Sequence, residues 1–141
     1  MNLKKSKKKK KRKENKQVNR QSKEKIQLLT EKQLNREQQK FIQNYFDEQV
    51  RSNVIPLMIE SLPQLPYLRD KSIYLGVVMR KKDTAYHQKY ALIEVPSKAI
   101  GRFIKLPSKP GEHQIILLED IIRFNLPYIF SYLDRKSTRL N

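Results

Sequence analysis

The chain contains no cysteine, which excludes disulfide bonds, thiolate catalysis and cysteine metal sites. Its three glycines, Gly76, Gly101 and Gly111, lie far apart, which excludes both a phosphate-binding P-loop and a dinucleotide-binding fingerprint. No apolar run approaches the ~20 residues that a membrane helix requires, and the basic N-terminus lacks the apolar stretch of a signal peptide. These absences predict a cytoplasmic protein without a transmembrane segment.

Positive charge is concentrated near the N-terminus. The 141 residues carry a net charge of +17, and residues 1–26, with 13 Lys or Arg against two Glu, contribute +11 of it. The same segment has few apolar residues and cannot bury enough surface to offset the entropy of ordering. We therefore predict a disordered Lys/Arg-rich tail at residues 1–25, followed by one folded domain. Such a tail binds any polyanion, including RNA, polyphosphate and acidic lipid headgroups.

The first predicted element is an amphipathic helix. Asn35 can serve as its N-cap, and Gln38, three residues later, can complete a capping box. Apolar residues then recur on one face at helical spacing, which predicts a helix over residues 36–51. Three prolines between residues 56 and 66 keep the next segment extended, because each disfavours helical geometry in the residue before it.

Alternating apolar residues predict a small antiparallel sheet. Residues 73–80 and 90–95 are expected to form a hairpin, joined by a polar bridge. Residues 102–106 and 114–118 predict two further strands, separated by a loop that contains proline and glycine.

A short turn and a final helix complete the predicted fold. Ser97 is expected to cap a turn that Gly101 closes. Glu119 and Asp120 suit the start of a helix, and Pro127 is expected to bend or interrupt it. The predicted class is α+β, with an N-terminal amphipathic helix, a small antiparallel sheet and a C-terminal helix.

The folded part has few residues that suggest catalysis. His87 and His113 lie in predicted loops without a metal-ligand pattern, and we interpret both as surface histidines. Glu119 and Asp120 are adjacent and point in different directions on a helix, which favours a helix-start role over a paired-carboxylate site. The aromatic residues lie on apolar faces, which favours core packing over base stacking. We therefore predict neither a catalytic nor a metal site.

Basic residues near strand ends are candidates for phosphate contacts, because fixed positive charge attracts a polyanion and arginine adds bidentate geometry. The candidates are Arg102, Lys105, Arg80 and Arg69. Arg102 is the first of them, because the preceding Gly101 lets the backbone approach a ligand closely. The alternative is that these residues are ordinary solvated strand edges, where lysine discourages aggregation.

Several unusual strings between residues 32 and 134 point to one family. A helix ending in YF is followed by IPLMI, PYLRDKSIYL, YALIEVPS with GRFIKLP, and ILLEDIIR. Together and in this order, they resemble the head, or middle, domain of the long-chain polyphosphate kinases. We interpret residues 26–134 as this domain and residues 135–141 as a tail outside the family pattern.

The resemblance implies a phosphotransferase that moves the γ-phosphoryl group of ATP reversibly onto a growing polyphosphate chain. It implies ATP and Mg²⁺ as cofactors, polyphosphate as substrate and a homo-oligomeric state for the complete enzyme. In this family the phosphorylated histidine lies in domains that follow the head domain. No residue here matches that histidine, so the resemblance implies a fragment that is inactive alone. We also hypothesise a partial reading frame, with residues 135–141 as foreign sequence.

Two other functions stay open at this point. One is a non-catalytic polyanion-binding module in which the basic tail and the folded domain act together. The other is an RNA-associated protein, although residues 26–141 contain no RNA-recognition signature. The tail also leaves open a peripheral association with acidic membranes.

Overall fold

The computed structural model describes residues 25–61, 63–64, 67–80 and 88–131. Two three-stranded sheets, three α-helices, a further helical segment at residues 126–131 and short helical turns form the described part of the chain. In chain order the elements are β1 (Lys25–Leu29), α1 (Arg36–Tyr45), β2 (Leu57–Met58), β3 (Tyr74–Arg80), β4 (Gln88–Glu94), α2 (Ser97–Ile100), β5 (Phe103–Lys105), β6 (Glu112–Leu117) and α3 (Leu118–Phe124). The predicted α+β class is confirmed.

Helix α1 begins with the predicted capping box. The Asn35 side chain accepts a hydrogen bond from the Gln38 backbone N–H at 2.8 Å, and Gln38 Oε1 accepts one from the Asn35 backbone N–H at 3.2 Å. Both bonds satisfy N–H groups that a helix start would otherwise leave without partners.

The helix does not continue as α to residue 51, as the sequence predicted. It widens into a π-turn at Phe46–Val50 and then tightens into a 3₁₀ turn at Arg51–Asn53. Ile42, Phe46 and Val50 are four residues apart and are all buried. Four residues exceed one α turn of 3.6, so a wider turn keeps the last of these side chains directed at the core.

The first sheet has the order β1-β6-β5 and is mixed. Strand β1 runs parallel to β6, and β5 runs antiparallel to β6. The sequence analysis did not predict β1, because its partner strand lies far along the chain and the segment has no clean alternation. Strands β5 and β6 confirm the two predicted strands with altered bounds, since Leu118 belongs to α3 and β6 begins at Glu112.

The second sheet has the order β2-β4-β3 and is antiparallel throughout. The predicted hairpin is confirmed, with Tyr74 opposite Glu94 and Arg80 opposite Gln88. The small antiparallel sheet of the prediction is therefore one of two sheets. Apolar residues of both sheets, α1 and α3 pack into one core, which includes Phe46, Ile93 and Ile116.

Two predictions about turns have different outcomes. Gly101 closes α2 with φ +95°, as expected for a residue that must adopt a conformation costly for other side chains. Ser97 does not cap this helix: Pro96 holds the cap position, no side chain supplies a capping bond, and Ser97 is the first helical residue. Its backbone N–H instead donates to Val95 O at 2.8 Å.

The C-terminal helix is interrupted, as Pro127 predicted. The break falls at Asn125, and residues 126–131 are helical again. Proline has no N–H to continue the helical ladder, so the chain turns before it. The Asn125 amide donates to Ile121 O at 2.8 Å and the Asn125 carbonyl accepts from Ile129 N at 3.0 Å, which satisfies polar groups at the break.

Several predicted features lie outside the described residues. These are the disordered tail up to residue 24, the polar bridge with His87, and residues 135–141. Within the described ranges, no helix has the length and apolar character that crossing a bilayer requires.

Candidate functional site

Arg102, the first phosphate candidate, forms an ion pair with Glu119. Arg102 Nη2 lies 3.2 Å from Glu119 Oε1, and the two side chains are 49% and 9% exposed. The Leu118 backbone N–H also donates to Arg102 O at 2.8 Å. The ion pair and this backbone hydrogen bond therefore join the start of β5 to the start of α3. Phosphate could reach the exposed half of the guanidinium, but it would have to share that charge with Glu119.

The other three candidates are separated. Lys105 is exposed at the end of β5, the strand that begins directly after Arg102. Arg69 precedes β3, where its backbone N–H donates to the Tyr74 hydroxyl at 2.9 Å, and Arg80 ends the same strand. At a rise of ~3.3 Å per residue, the ends of β3 lie roughly 20 Å apart. The four predicted residues therefore do not converge on one point.

Arg69 instead shares a cavity of about 280 Å³ with Lys98, a residue that the sequence analysis did not single out. The walls are Asn53, Ile55, Arg69, Ser72, Glu94, Val95, Pro96, Ser97, Lys98 and Ala99. Two cations and several amide or hydroxyl groups suit phosphate oxygens, while Glu94 offsets one charge. The volume is at the lower limit of small-molecule pockets, about 300–1,000 Å³, so it suits phosphoryl groups better than a whole nucleotide.

A second cavity, of about 390 Å³, lies between the π-turn and residues 126–131. Its walls are Phe46, Asp47, Arg51, Ser52, Val54, Pro56, Tyr128 and Ile129. Arg51 Nη1 donates to the Tyr128 hydroxyl at 3.2 Å, and the guanidinium carbon lies 5.8 Å from the ring centroid. Because Arg51 is held against Tyr128 and Asp47 adds negative charge, this cavity suits a phosphate chain less well than the first.

Asp120 carries a carboxyl group whose pKa is raised in the folded chain. It is buried in the first turn of α3, beside Glu31 and in an ion pair with Arg123. Burial raises its pKa above the ordinary value of 3.8, and the hydrogen bond and charge of Glu31 raise it further, while Arg123 opposes both. A protonated Asp120 can donate a hydrogen bond to Glu31 and so link the turn after β1 to α3.

We expect Asp120→Asn to flatten the dependence of stability on pH. A raised pKa means that the folded chain holds this proton to a higher pH than the unfolded chain. Between 3.8 and the raised pKa, the free energy of unfolding of the wild type therefore falls as pH rises, and it stays lower above that window. An asparagine amide does not titrate and can still donate to Glu31. Urea unfolding from pH 4 to 8 measures the slope.

The matched control for this experiment is Asp70→Asn, which changes an exposed carboxyl in a turn. It should preserve the wild-type slope. Asp120→Asn also loses the ion pair with Arg123, but Arg123 attracts only the ionised carboxylate and already opposes the rise in the pKa of Asp120, so the variant should show no titration at this position. A slope as steep in Asp120→Asn as in the wild type would contradict the assignment.

The described residues contain no cluster of metal ligands. No group of three or more His, Asp or Glu is placed to hold a metal anywhere in the described ranges. Glu119 and Asp120 are buried and each pairs with an arginine, rather than turning their oxygens to one point. His113 lies in β6 and not in the predicted loop, but it is exposed, as a surface histidine should be.

Comparison with known proteins gives one consistent family. The family model described as the polyphosphate kinase middle domain matches residues 37–140, and so extends beyond the boundary predicted at residue 134. The chain is 35% identical over 116 residues to the polyphosphate kinase of Vibrio parahaemolyticus, covering 80% of this chain and 16% of that protein. It is 33% identical over 112 residues to the polyphosphate kinase of Escherichia coli K12, covering 77% of this chain and 16% of that protein.

The fold agrees with these matches. The crystal structure of the polyphosphate kinase from Porphyromonas gingivalis superposes with a TM-score of 0.70 at 25% identity, over 79% of this chain and 19% of that chain. This chain thus spans about one sixth of the length of the curated relatives it matches. Because the family match covers well over half of its residues, the chain belongs to the polyphosphate kinase family, in the region of the middle domain.

Proposed function

We propose that this chain serves as the middle domain of an enzyme that transfers the γ-phosphoryl group of ATP to polyphosphate. The family match over residues 37–140 carries the proposal. In this supporting role, ATP, Mg²⁺ and the reactive histidine are proposed to be held elsewhere in the complete enzyme. The compartment proposed for it is the cytoplasm, and the complete enzyme is proposed to be a homo-oligomer.

The proposed task of this domain is to bind the phosphate chain. The cavity with Arg69 and Lys98 is the best-supported contact, because two cations and neighbouring hydroxyl groups line the same cavity. Arg80, Arg102 and Lys105 are proposed as further contacts along an extended polyanion. A long polyphosphate does not require its contacts to converge, so their separation is compatible with this role.

The isolated chain is expected to form no polyphosphate from ATP and Mg²⁺. Phosphoryl transfer requires a positioned nucleophile, metal ions and charge clamps, and no residue of this chain matches the histidine that the family resemblance implies as the nucleophile. Incubation with radiolabelled ATP, followed by gel analysis, measures the product. The Escherichia coli polyphosphate kinase is the positive control, and product formed by the purified chain at a rate above background would overturn this prediction.

The double substitution Arg69→Ala/Lys98→Ala is expected to weaken polyphosphate binding at least tenfold. Charge-assisted hydrogen bonds contribute about 1.5–3 kcal/mol each, and about 1.4 kcal/mol corresponds to tenfold. Binding should be measured by fluorescence anisotropy with labelled polyphosphate on a chain lacking residues 1–24, which leaves β1 intact, at moderate salt, so that the tail cannot dominate. Lys32→Ala/Lys40→Ala removes two exposed lysines outside the cavity and is the matched control. Equal losses in both variants would contradict a specific site.

A second candidate function is a non-catalytic polyanion-binding module that uses its basic tail. The +11 charge of residues 1–26 favours it. Deleting residues 1–24, which precede β1, separates the two proposals. If polyphosphate and RNA binding both vanish, the tail alone binds polyanions; if polyphosphate binding persists and depends on Arg69 and Lys98, the middle-domain proposal is supported.

A further inference from the structure

Glu94 places a carboxylate in the wall of the cavity that Arg69 and Lys98 also line. Among the described side chains, neither Arg69 nor Lys98 forms an ion pair with Glu94. The three charged groups therefore line a space of about 280 Å³ without pairing with one another. A ligand of this cavity has to satisfy two cations and one carboxylate together.

The two segments that carry these charges are joined by the backbone. Glu94 ends β4 and Lys98 lies in α2, while Arg69 belongs to the segment before β3. Between Glu94 and Lys98, the Val95 backbone N–H donates to Ile73 O at 2.8 Å. This hydrogen bond holds the chain that leads into α2 beside the chain that leads into β3, and so keeps the three charges on one cavity.

Arg69 and Glu94 are both linked to Tyr74. The Arg69 backbone N–H donates to the Tyr74 hydroxyl at 2.9 Å, and Tyr74 lies opposite Glu94 in the β3–β4 register. Residues directly opposite each other in an antiparallel pair are neighbours on one face of the sheet. The turn after Arg69 contains Lys71 with φ 61°, a left-handed conformation that a residue other than glycine keeps only when surrounding contacts hold it. The arginine and the carboxylate therefore keep a fixed relation.

The two kinds of phosphoryl group in a polyphosphate differ in their protons. A terminal group resembles a phosphomonoester, whose second pKa is about 6, so near neutral pH a fraction of these groups still carries an O–H. An internal group has one strongly acidic oxygen and no proton to donate. A carboxylate accepts hydrogen bonds and has no donor, so it can bind the O–H of a terminal group and repels the oxygens of an internal one.

We infer that this cavity binds the terminal phosphoryl group of polyphosphate and that Glu94 selects this group over an internal one. The inference rests on the proposed function, and it names the part of the phosphate chain that the cavity holds. Arg69 and Lys98 donate to the ionised oxygens of the terminal group, and Glu94 accepts a hydrogen bond from the remaining O–H. An internal group would leave the carboxylate beside a like charge without a hydrogen bond, and such a mismatch discriminates between related ligands.

Two small ligands with three phosphorus atoms each separate a chain end from a chain interior. Linear tripolyphosphate has two terminal groups, and cyclic trimetaphosphate has none. Each ligand is titrated without Mg²⁺ into the full 141-residue chain at pH 6.5, and the ¹H–¹⁵N NMR shifts of the Arg69 and Lys98 amides report on the cavity separately from the basic tail. We expect the linear ligand to bind at least about tenfold more tightly, because a charge-assisted hydrogen bond to Glu94 replaces a repulsion.

Glu94→Gln separates the effect of the carboxylate from that of the larger charge on the linear ligand. An amide does not repel internal oxygens, so the ratio of the linear to the cyclic affinity should fall about tenfold. The matched control is Asp70→Asn, which removes an equal charge beside Arg69 from a residue that does not line the cavity. It should raise both affinities together and leave their ratio unchanged. Both changed residues are exposed, and thermal unfolding verifies that the variants are folded.

Equal binding of the two ligands by the wild type would overturn the inference, and so would a ratio that Glu94→Gln leaves unchanged. An equal fall of the ratio in Asp70→Asn would assign the preference to net charge and would also overturn it. Arg69→Ala/Lys98→Ala tests the proposed contact separately. If that variant binds both ligands as the wild type does, or if the wild type binds neither, the proposed phosphate site fails as well. If the variant loses both ligands and the wild type does not distinguish them, the site stands and only the selection by Glu94 is refuted.

Discussion

Replacing Phe46 with alanine is expected to lower the free energy of unfolding by about 4 kcal/mol, as for other buried phenylalanines. Phe46 is 1% exposed and starts the π-turn that directs Val50 into the core. Its ring meets the Tyr128 ring edge-on, with centroids 6.3 Å apart, and so ties α1 to residues 126–131. Circular dichroism during urea unfolding measures the loss.

The matched control is Phe103→Ala, which removes the same side chain from an exposed position. We expect that variant to lose less than about 1 kcal/mol in the isolated chain, since an exposed side chain contributes little apolar burial. Phe46→Leu should fall between the two, because it keeps most of the apolar volume. If Phe46→Ala were no more destabilising than Phe103→Ala, this would contradict the packing of Phe46 against residues 126–131 that is described above.

Replacing Gln38 with methionine is expected to lower the free energy of unfolding by about 3 kcal/mol, because buried polar groups lose their partners. Gln38 is 2% exposed, and its amide donates to Pro107 O at 2.9 Å and to Gln114 Oε1 at 2.6 Å. Gln114 in turn donates to Gln27 Oε1 at 3.0 Å, so the network joins α1 to both β6 and β1. Methionine has a similar size, so the change removes hydrogen bonds without opening a large cavity.

Gln43→Met is the control for this network. Gln43 is exposed on the same helix, and its replacement should change stability by no more than about 0.5 kcal/mol. Amide hydrogen exchange gives a second readout, since loss of the network should reduce protection in β1, at the edge of its sheet, more than in β4. Uniform loss of protection would argue that Gln38 contributes only to global stability.

Local patterns predicted those elements whose stabilising contacts lie close together in the chain. The capping box of α1 needs residues three apart, and the β3–β4 hairpin joins consecutive strands, so short-range chemistry was sufficient for both. The interruption near Pro127 follows from the missing N–H of one residue. Ser97 does not cap α2, because Pro96 occupies the N-cap position. The general preference for serine at helix starts takes no account of that neighbouring proline.

The candidate site was less predictable, because its geometry depends on contacts between distant segments. Arg102 was selected for its neighbouring glycine, yet its charge is shared with Glu119, 17 residues further on. Lys98 was not among the candidates predicted from the sequence. It lines the cavity with Arg69 only because α2 packs beside the segment before β3. Whether Arg69, Arg80, Arg102 and Lys105 contact phosphate remains a prediction.

By itself, the sequence determined the family, the α+β class, the basic tail and the lack of a P-loop, since each of these is written in residue order, composition or local periodicity. Only the tertiary structure decided that β1 exists and runs parallel to β6, and that Gln38 is a buried link between α1 and the first sheet. These features depend on which distant segments meet. Burial and hydrogen bonding across such contacts override local propensity, and no short stretch of sequence encodes them alone.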